Sequence, residues 1–427
     1  MGHRLLVGLE RQAGPARFSM STRVVVTGAG TVSALGDDWQ TVRNRLQSGV
    51  GAIRYMPEWE RYTSLGTRLA APVDDFTLPD TFTRKRRRSM GRVAELAVVA
   101  TERALDDAGL ANDPLLSSGE VGIAYGSATG SSTAAMEFFA LLERGTAERM
   151  DTTTYLRMMS HTAAVNIGIR FGITGRVMTT SSACTAGSQG LGYAFEAIRD
   201  GRQTIMIAGG AEELCPTQAA TFDIMMAASR RNDEPALSSR PFDADRDGLV
   251  LGEGSCTLIL ESMEHALARG ASILGEIVGF ATNSDGAHVV RPRVETVQRV
   301  MQEALKVAGL SAHDIDAVNV HATATQHGDI VEGTATGAVF GSQTPVMSLK
   351  GHTGHTLGAC GAFEAWCSLG MLRDGWLAPT LNLSSPDPAC GDLDHVTGSG
   401  RDKQVQFIIS NNFAFGGINT SLVLAGV

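Results

Sequence analysis

The chain has 427 residues and a formal net charge of −9 at pH 7; at about 150 residues per domain this length allows about three units, though large α/β enzymes often use fewer. Hydrophobic residues at 43% and charged residues at 19% are the proportions of a folded globular chain and exclude a disordered one. The acidic balance excludes a general nucleic-acid binder, because phosphate contacts need basic surface.

In chain order, the apolar stretch Leu5–Leu9 is too short for a signal-peptide core and has no small-residue cleavage site after it. Residues 1–20 read as an extension outside the fold, with Met20 as a second plausible start. A first strand is predicted over Arg23–Thr27, running into a turn at Gly28-Ala29-Gly30, and a helix over Asp37–Ser48. Arg92–Asp107 carries Val93, Leu96, Ala97, Ala100 and Ala104 at helical spacing. Strands are predicted at Val121–Tyr125, Arg176–Thr180 and Gln203–Ala208, the last closed by Gly209-Gly210, with a helix over Cys184–Asp200. Leu258–Leu260 and Ile273–Val278 continue the strand pattern.

After about residue 270 the alternation starts again. Helices are predicted at Val294–Gly309, Asp329–Phe340 and Gly361–Arg373, and strands at Asp316–His321, Thr344–Ser348, Val405–Ser410 and Thr420–Ala425. Short apolar strands alternating with helices predict an α/β protein with mixed sheets covered on both faces. The 49 glycines, clustered between apolar runs, predict many tight strand–helix turns. No apolar run reaches the roughly 18–20 residues of a membrane span. The six cysteines form no CxxC pair, so neither a zinc site nor a disulfide scaffold follows, and a reducing cytoplasm suits them best.

Four segments hold residue types suited to chemistry. In Thr179-Thr180-Ser181-Ser182-Ala183-Cys184-Thr185-Ala186-Gly187 a strand ends, small residues make a sharp turn and a helix begins. A helix N-terminus offers unpaired N–H groups and partial positive charge, which favour thiolate over thiol. Taken alone, Cys184 also suits a buried structural role. In Asn319–Thr325 a histidine, His321, ends an apolar strand where α/β sheets often hold ligands; a satisfied core histidine fits the segment equally. Lys350–Gly358 has histidines at 352 and 355, without the further ligands a metal site needs. Asn411–Asn419 is a glycine-rich turn with Phe413 and Phe415 between strands, alone an ordinary hairpin.

Two segments are decoys. Asp243-Ala244-Asp245-Arg246-Asp247-Gly248 begins like a calcium loop, but its twelfth position is Gly254 where a bidentate Glu belongs. Gly28-Ala29-Gly30-Thr31-Val32-Ser33 is an incomplete dinucleotide fingerprint, with Ser in the third glycine position.

Together the segments resemble the elongating β-ketoacyl-acyl-carrier-protein synthases. Six motifs carry the resemblance in order: SSACTAG around Cys184, AGGAEE at 208–213, SRPFDADRDGLVLGEG at 239–254, NVHATAT at 319–325, KGHTGHTLGACGAFEA at 350–365 and NNFAFGGIN at 411–419. The resemblance implies a thiolase-like fold of two related halves in α-β-α-β-α layers. The first half, residues 21–271, would carry the nucleophile, and the second, 272–427, the two catalytic histidines. It also implies a homodimer, although a heterodimer with a related subunit is compatible.

By the same resemblance Cys184, His321 and His355 form the catalytic trio, with Lys350 beside them in an ion pair with Glu332. The backbone N–H groups of Cys184 and Phe415 would form the oxyanion hole. Phe415 would also gate the acyl pocket, Thr129 would stand at the end of that pocket, and Thr323 and Thr325 would bind the phosphopantetheine arm. No cofactor or metal is implied; the substrates arrive on the phosphopantetheine of an acyl carrier protein. Ala414, Ala322 and Ala324 stand where the family often has smaller or different residues, Gln326 where it often has proline, and Thr129 where it has an aliphatic residue. These departures touch substrate preference and gating.

The basic run Arg84-Lys85-Arg86-Arg87-Arg88 reads either as a solvated helix start or as a docking patch for an acidic carrier, in which Lys85 and Arg88 match family positions. The expected reaction is decarboxylative condensation of an acyl thioester with a malonyl thioester in fatty acid elongation. The alternatives are the same chemistry in a polyene or polyketide pathway, or a silent subunit of a heterodimer; a degradative thiolase is disfavoured by the His321/His355 pair.

Overall fold

A computed structural model describes residues 22–148 and 150–427; the expected N-terminal extension lies outside the described residues. Ten strands build the body: β1 (Val24–Ser33), β2 (Val121–Gly126), β3 (Val177–Thr180), β4 (Ile205–Glu212), β5 (Gly254–Ser262), β6 (Gly275–Ser284), β7 (Ala317–Asn319), β8 (Pro345–Met347), β9 (Phe407–Ala414) and β10 (Ile418–Ala425). The helices that matter most are α1 (Arg92–Asp107), α2 (Ala186–Arg199), α3 (Val294–Ala308), α4 (Gln326–Phe340) and α5 (Cys360–Asp374).

The strands run β8-β7-β9-β10-β6-β1-β5-β4-β2-β3 through an 11-stranded sheet, with Asp394–His395 added beyond β8. The two halves of this order repeat one topology. In the first, β2 pairs parallel with β3 and β4, β4 antiparallel with β5, and β5 antiparallel with β1. In the second, β7 pairs parallel with β8 and β9, β9 antiparallel with β10, and β10 antiparallel with β6. The halves meet through a short antiparallel ladder, Val24–Val26 against Ile277–Gly275. Between them lie α2 and α5, packed on each other and on strands of both halves. Residues 360–372 of α5 are buried on every side, as a central layer requires. On the outer faces α1 covers β1 and β5, and α3 covers β6 and β10. This is the expected α-β-α-β-α layering.

The glycine clusters do not do what the sequence suggested. β1 continues through Gly28 and Gly30 to Ser33, and β4 through Gly209 and Gly210 to Glu212. These glycines mark close approach instead of turns. A Cβ on Gly30 would lie 2.2 Å from Ala100 O of α1, and one on Gly210 2.1 Å from Gly358 O. Other expected elements hold with shifted ends. The helix after Cys184 begins only at Ala186, and the early helix spans Trp39–Gln47 under an Asp38 cap that accepts the Thr41 N–H. Helices at Ser132–Arg144, Thr154–Met158, Thr162–Phe171 and Pro216–Ile224 were not predicted.

Candidate active site

Cys184 lies in a tight turn, Ala183–Thr185, between β3 and α2. The turn is strained: Ala183 has φ +51°, a conformation a non-glycine residue holds only when its surroundings enforce it. Thr180 Oγ1 bonds Ala186 O at 2.7 Å and Thr185 Oγ1 bonds Ser182 O at 2.8 Å, closing the turn from both sides. Gly187 allows α2 to touch the Gly358 backbone, which a Cβ would approach to 2.8 Å. The segment that bears His355 is thereby brought against the nucleophile turn.

His355 Nε2 is 2.9 Å from Cys184 Sγ. The His321 and His355 rings stand edge to face with centroids 5.0 Å apart. One nitrogen of each and the Cys184 sulfur all lie within 4.8 Å of one another. The three side chains expected to act together therefore share one site, although they come from β3–α2, the end of β7 and the segment before α5. The backbone N–H groups of Phe415 and Cys184 both face the sulfur.

Burial dominates the electrostatics. It pushes the Cys184 thiol up to about 12, with Lys350 and the two N–H groups pulling the other way. Burial and then the Lys350 charge hold both His321 and His355 well below the usual imidazole range. Burial thus opposes ionisation of the thiol and protonation of both imidazoles, against the ionised sulfur expected at a helix tip. Cys184 lies two residues before α2 begins. A cation bound at the trio would meet the same repulsion from Lys350 that lowers the imidazoles.

The expected Lys350–Glu332 pair is corrected. Lys350 Nζ is bonded to Glu364, and both side chains are almost fully buried, 1% and 3% exposed. Glu332 acts on Lys350 only as a farther charge. Its oxygens are occupied by the backbone N–H groups of His321 at 2.7 Å and Ala322 at 2.6 Å. Glu364 also accepts from Asn412 Nδ2 at 2.7 Å, and the same amide nitrogen lies 3.4 Å from His321 Nδ1. That contact makes Nδ1 the acceptor and leaves the proton on Nε2, facing the reaction site. Asn412 and Glu364 were inside quoted motifs but had no assigned role; neither residue type nor spacing separates them from ordinary core polar groups.

A cavity of about 350 Å³ opens on the trio. Cys184, His321, His355, Thr323, Thr325 and Phe415 are among its lining residues. Thr323 and Thr325 touch through their hydroxyls at 3.1 Å. Phe415 stacks on Phe222 with ring centroids 5.0 Å apart, and the glycines after it, Gly416 and Gly417, hold φ +86° and +73°. Thr129 is not among the residues that line this cavity. Its hydroxyl is held by Glu212 at 3.1 Å and by Gln218 at 2.9 Å. Glu212 is itself buried, and burial pushes it up to about 7 against the bonds from Ala128, Thr129, Gly358 and Ser127.

Lys85 and Arg88 lie apart from the trio. They line an open groove with Arg84, Arg87 and Arg157, facing Glu95 and Asp151.

Comparison with known proteins follows the same lines. The Beta-ketoacyl synthase N-terminal domain matches residues 21–266 and the C-terminal domain residues 274–384. The chain belongs to the β-ketoacyl synthase family. It is 36% identical over 406 residues to 3-oxoacyl-[acyl-carrier-protein] synthase 2 of Synechocystis sp., covering 94% of this chain and 97% of that protein. The crystal structure of a β-ketoacyl synthase from Burkholderia phymatum STM815 matches with a TM-score of 0.94 and 52% identity, covering 95% of this chain and 100% of that one. A type II polyketide ketosynthase in complex with its acyl-carrier protein matches with a TM-score of 0.85 and 28% identity, covering 96% and 100%. The resemblance drawn from the six motifs is borne out, and with it the thiolase-like fold and the acyl-transferring, condensing class of enzyme. No helix among the described residues is long and apolar enough to cross a membrane.

Proposed function

We propose that this protein is a β-ketoacyl-acyl-carrier-protein synthase that condenses an acyl thioester, held on Cys184, with a malonyl thioester in fatty acid elongation. The observation that carries this is the meeting of Cys184, His321 and His355 within 4.8 Å at the end of one cavity. In the first step Cys184 attacks the acyl carbonyl. His355 Nε2, at 2.9 Å, is in place to relay the thiol proton to the departing pantetheine thiol. The tetrahedral oxyanion meets the N–H groups of Cys184 and Phe415.

In the second step the malonyl thioester loses carbon dioxide and becomes an enolate. The neutral imidazole N–H of His321 faces its oxygen, and such a donor is worth about 2.7–4 kcal/mol, or roughly 10²–10³ in rate; His355 adds a second donor in the tautomer that carries its proton on Nε2. The enolate carbon attacks the acyl-Cys184 carbonyl and releases the sulfur as a thiolate, which takes up one proton from solvent to restore the thiol. Lys350, locked to Glu364, keeps the imidazoles neutral and takes no proton. Thr323 and Thr325 hydrogen-bond the pantetheine arm, and Phe415 moves off Phe222 to admit the acyl chain. Substrates arrive on a carrier protein docked at Lys85 and Arg88, and the chemistry calls for no further cofactor.

The same reading divides the chain into halves at 21–271 and 272–427 and places the enzyme in the cytoplasm. It also makes the protein a dimer through the free edge of β3. Val177 on that strand is exposed, as are Met136, Phe139 and Leu142 on the helix Ser132–Arg144, an apolar surface suited to a partner. A polyketide or polyene pathway is the second reading, supported by the similarity to a type II polyketide ketosynthase. A silent subunit is disfavoured by the Cys184–His355 contact, which only a reacting site uses. The test is to supply acyl- and malonyl-loaded carrier proteins together and measure carbon dioxide and the extended 3-oxoacyl carrier by mass. Release of carbon dioxide without a lengthened product when both substrates are present would contradict condensation.

A further inference from the structure

Residues 321–326 form a strap that carries both a histidine of the trio and the two cavity threonines. Its middle residue, Ala324, has φ +68°, a strained conformation that needs anchors on either side. The anchors are two buried side chains, a carboxyl and a guanidinium. On the histidine side, Glu332 is 2% exposed and takes the N–H groups of both His321 and Ala322. Two acceptor oxygens are required for this; an amide in the same place would offer one acceptor and turn its NH₂ toward the second N–H. On the threonine side, Arg246 is 2% exposed. It donates to Thr325 O at 3.3 Å and Gln326 O at 3.0 Å, and accepts Gln326 Nε2 on its own carbonyl at 2.7 Å. Asp387 and the Asp243 carbonyl hold its other nitrogen at 2.7 and 2.9 Å. Asp329 stands 3.6 Å from the guanidinium, with one oxygen bonded to Phe242 N at 2.8 Å.

We propose that Glu332 and Arg246 are positioning residues with divided tasks: Glu332 aims the His321 imidazole at the malonyl enolate, and Arg246 sets Thr323 and Thr325 for the pantetheine arm. This rests on the roles proposed above for His321 and the threonines. The two anchors grip the strap on opposite sides of Ala324. The DADRDG segment that resembles a calcium loop thus has an internal purpose, to deliver Arg246 beneath the strap. Glu332 serves the backbone of the catalytic histidine and is not the counter-ion of Lys350.

The experiment is steady-state decarboxylation of malonyl-pantetheine and of malonyl-carrier protein by wild type, Glu332→Gln, Glu332→Asp and Arg246→Lys, with acylation of Cys184 by an acyl thioester followed in parallel. Glu332→Gln is expected to lower kcat about ten- to hundredfold, the cost of a misaimed catalytic group, with KM changed less than about threefold. Glu332→Asp retains two acceptors and is expected to recover part of kcat. Arg246→Lys, which loses the fork, is expected to raise KM for both malonyl substrates about fivefold or more with a smaller fall in kcat. Equal losses in kcat and KM in both variants, or a kcat for Glu332→Gln within about threefold of wild type, would overturn the division. Should Glu332→Gln fail to fold, Glu332→Asp against Arg246→Lys gives the same comparison. Failure of wild type to acylate at Cys184 would instead strike the proposed function, which the parallel measurement separates.

Discussion

Replacing Lys350 by Met leaves Glu364 almost fully buried, with Asn412 Nδ2 as its remaining close partner. Breaking a buried pair by removing one partner costs about 3–5 kcal/mol, because a charge is left uncompensated in a poorly polarisable interior. Burial already raises the Glu364 carboxyl, and Lys350 is the largest influence pulling it down. In the variant its folded pKa therefore rises further above the unfolded value of about 4.3. A group with a raised folded pKa is penalised where the unfolded state is ionised. The deficit is therefore full above the folded pKa and shrinks as pH falls toward the unfolded one. Urea unfolding of wild type and Lys350→Met between pH 5 and 8.5 reads this directly. The expected gap is about 3 kcal/mol or more at the alkaline end and smaller at the acid end, and a second change, Glu364→Gln, recovers most of it. The imidazoles lose a neighbouring positive charge, so the acid limb of decarboxylation moves to higher pH. A variant within about 1 kcal/mol of wild type at every pH would refute the reasoning, since that is the value of an exposed pair.

Two further outcomes follow from the site. His321→Ala is expected to cut malonyl decarboxylation about 10²–10³-fold while acylation of Cys184 falls far less, because His355 and not His321 touches the sulfur; single-turnover acylation and carbon dioxide release measured side by side check this. Reversing Lys85 and Arg88 to Glu is expected to raise KM for carrier-borne substrates, more so at low salt, while sparing a small thioester analogue; equal losses on both substrates would remove the docking role.

The trio was legible because each member sits in a segment that ends a strand and starts a turn or helix, and because six such segments occur in order. What sequence could not give is contact made by absence of atoms. Gly28 and Gly30 look like a turn, yet they let α1 lie against β1; both situations require a missing Cβ, and only packing tells them apart. The partner of Lys350 was misread for a related reason. Glu332 and Glu364 are both buried on helices near the site, and the choice between them depends on which carboxylate the His321–Ala322 backbone has already engaged. Thr129 was placed at the end of the acyl pocket by the family resemblance, and its hydroxyl is held by Glu212, a carboxylate whose burial no local pattern reveals. The thiolate expected at a helix tip is opposed by burial, and α2 begins only after Cys184.

The most direct measurement is the mass of the Cys184 peptide after incubation with a panel of acyl-loaded carrier proteins, for wild type and Cys184→Ala. The expected result is one acyl increment on the peptide containing Cys184, absent from the variant, with the panel reporting which chain the cavity accepts. An increment on Cys215 or Cys256, or one that persists in Cys184→Ala, would contradict a nucleophile at the meeting point of the two histidines.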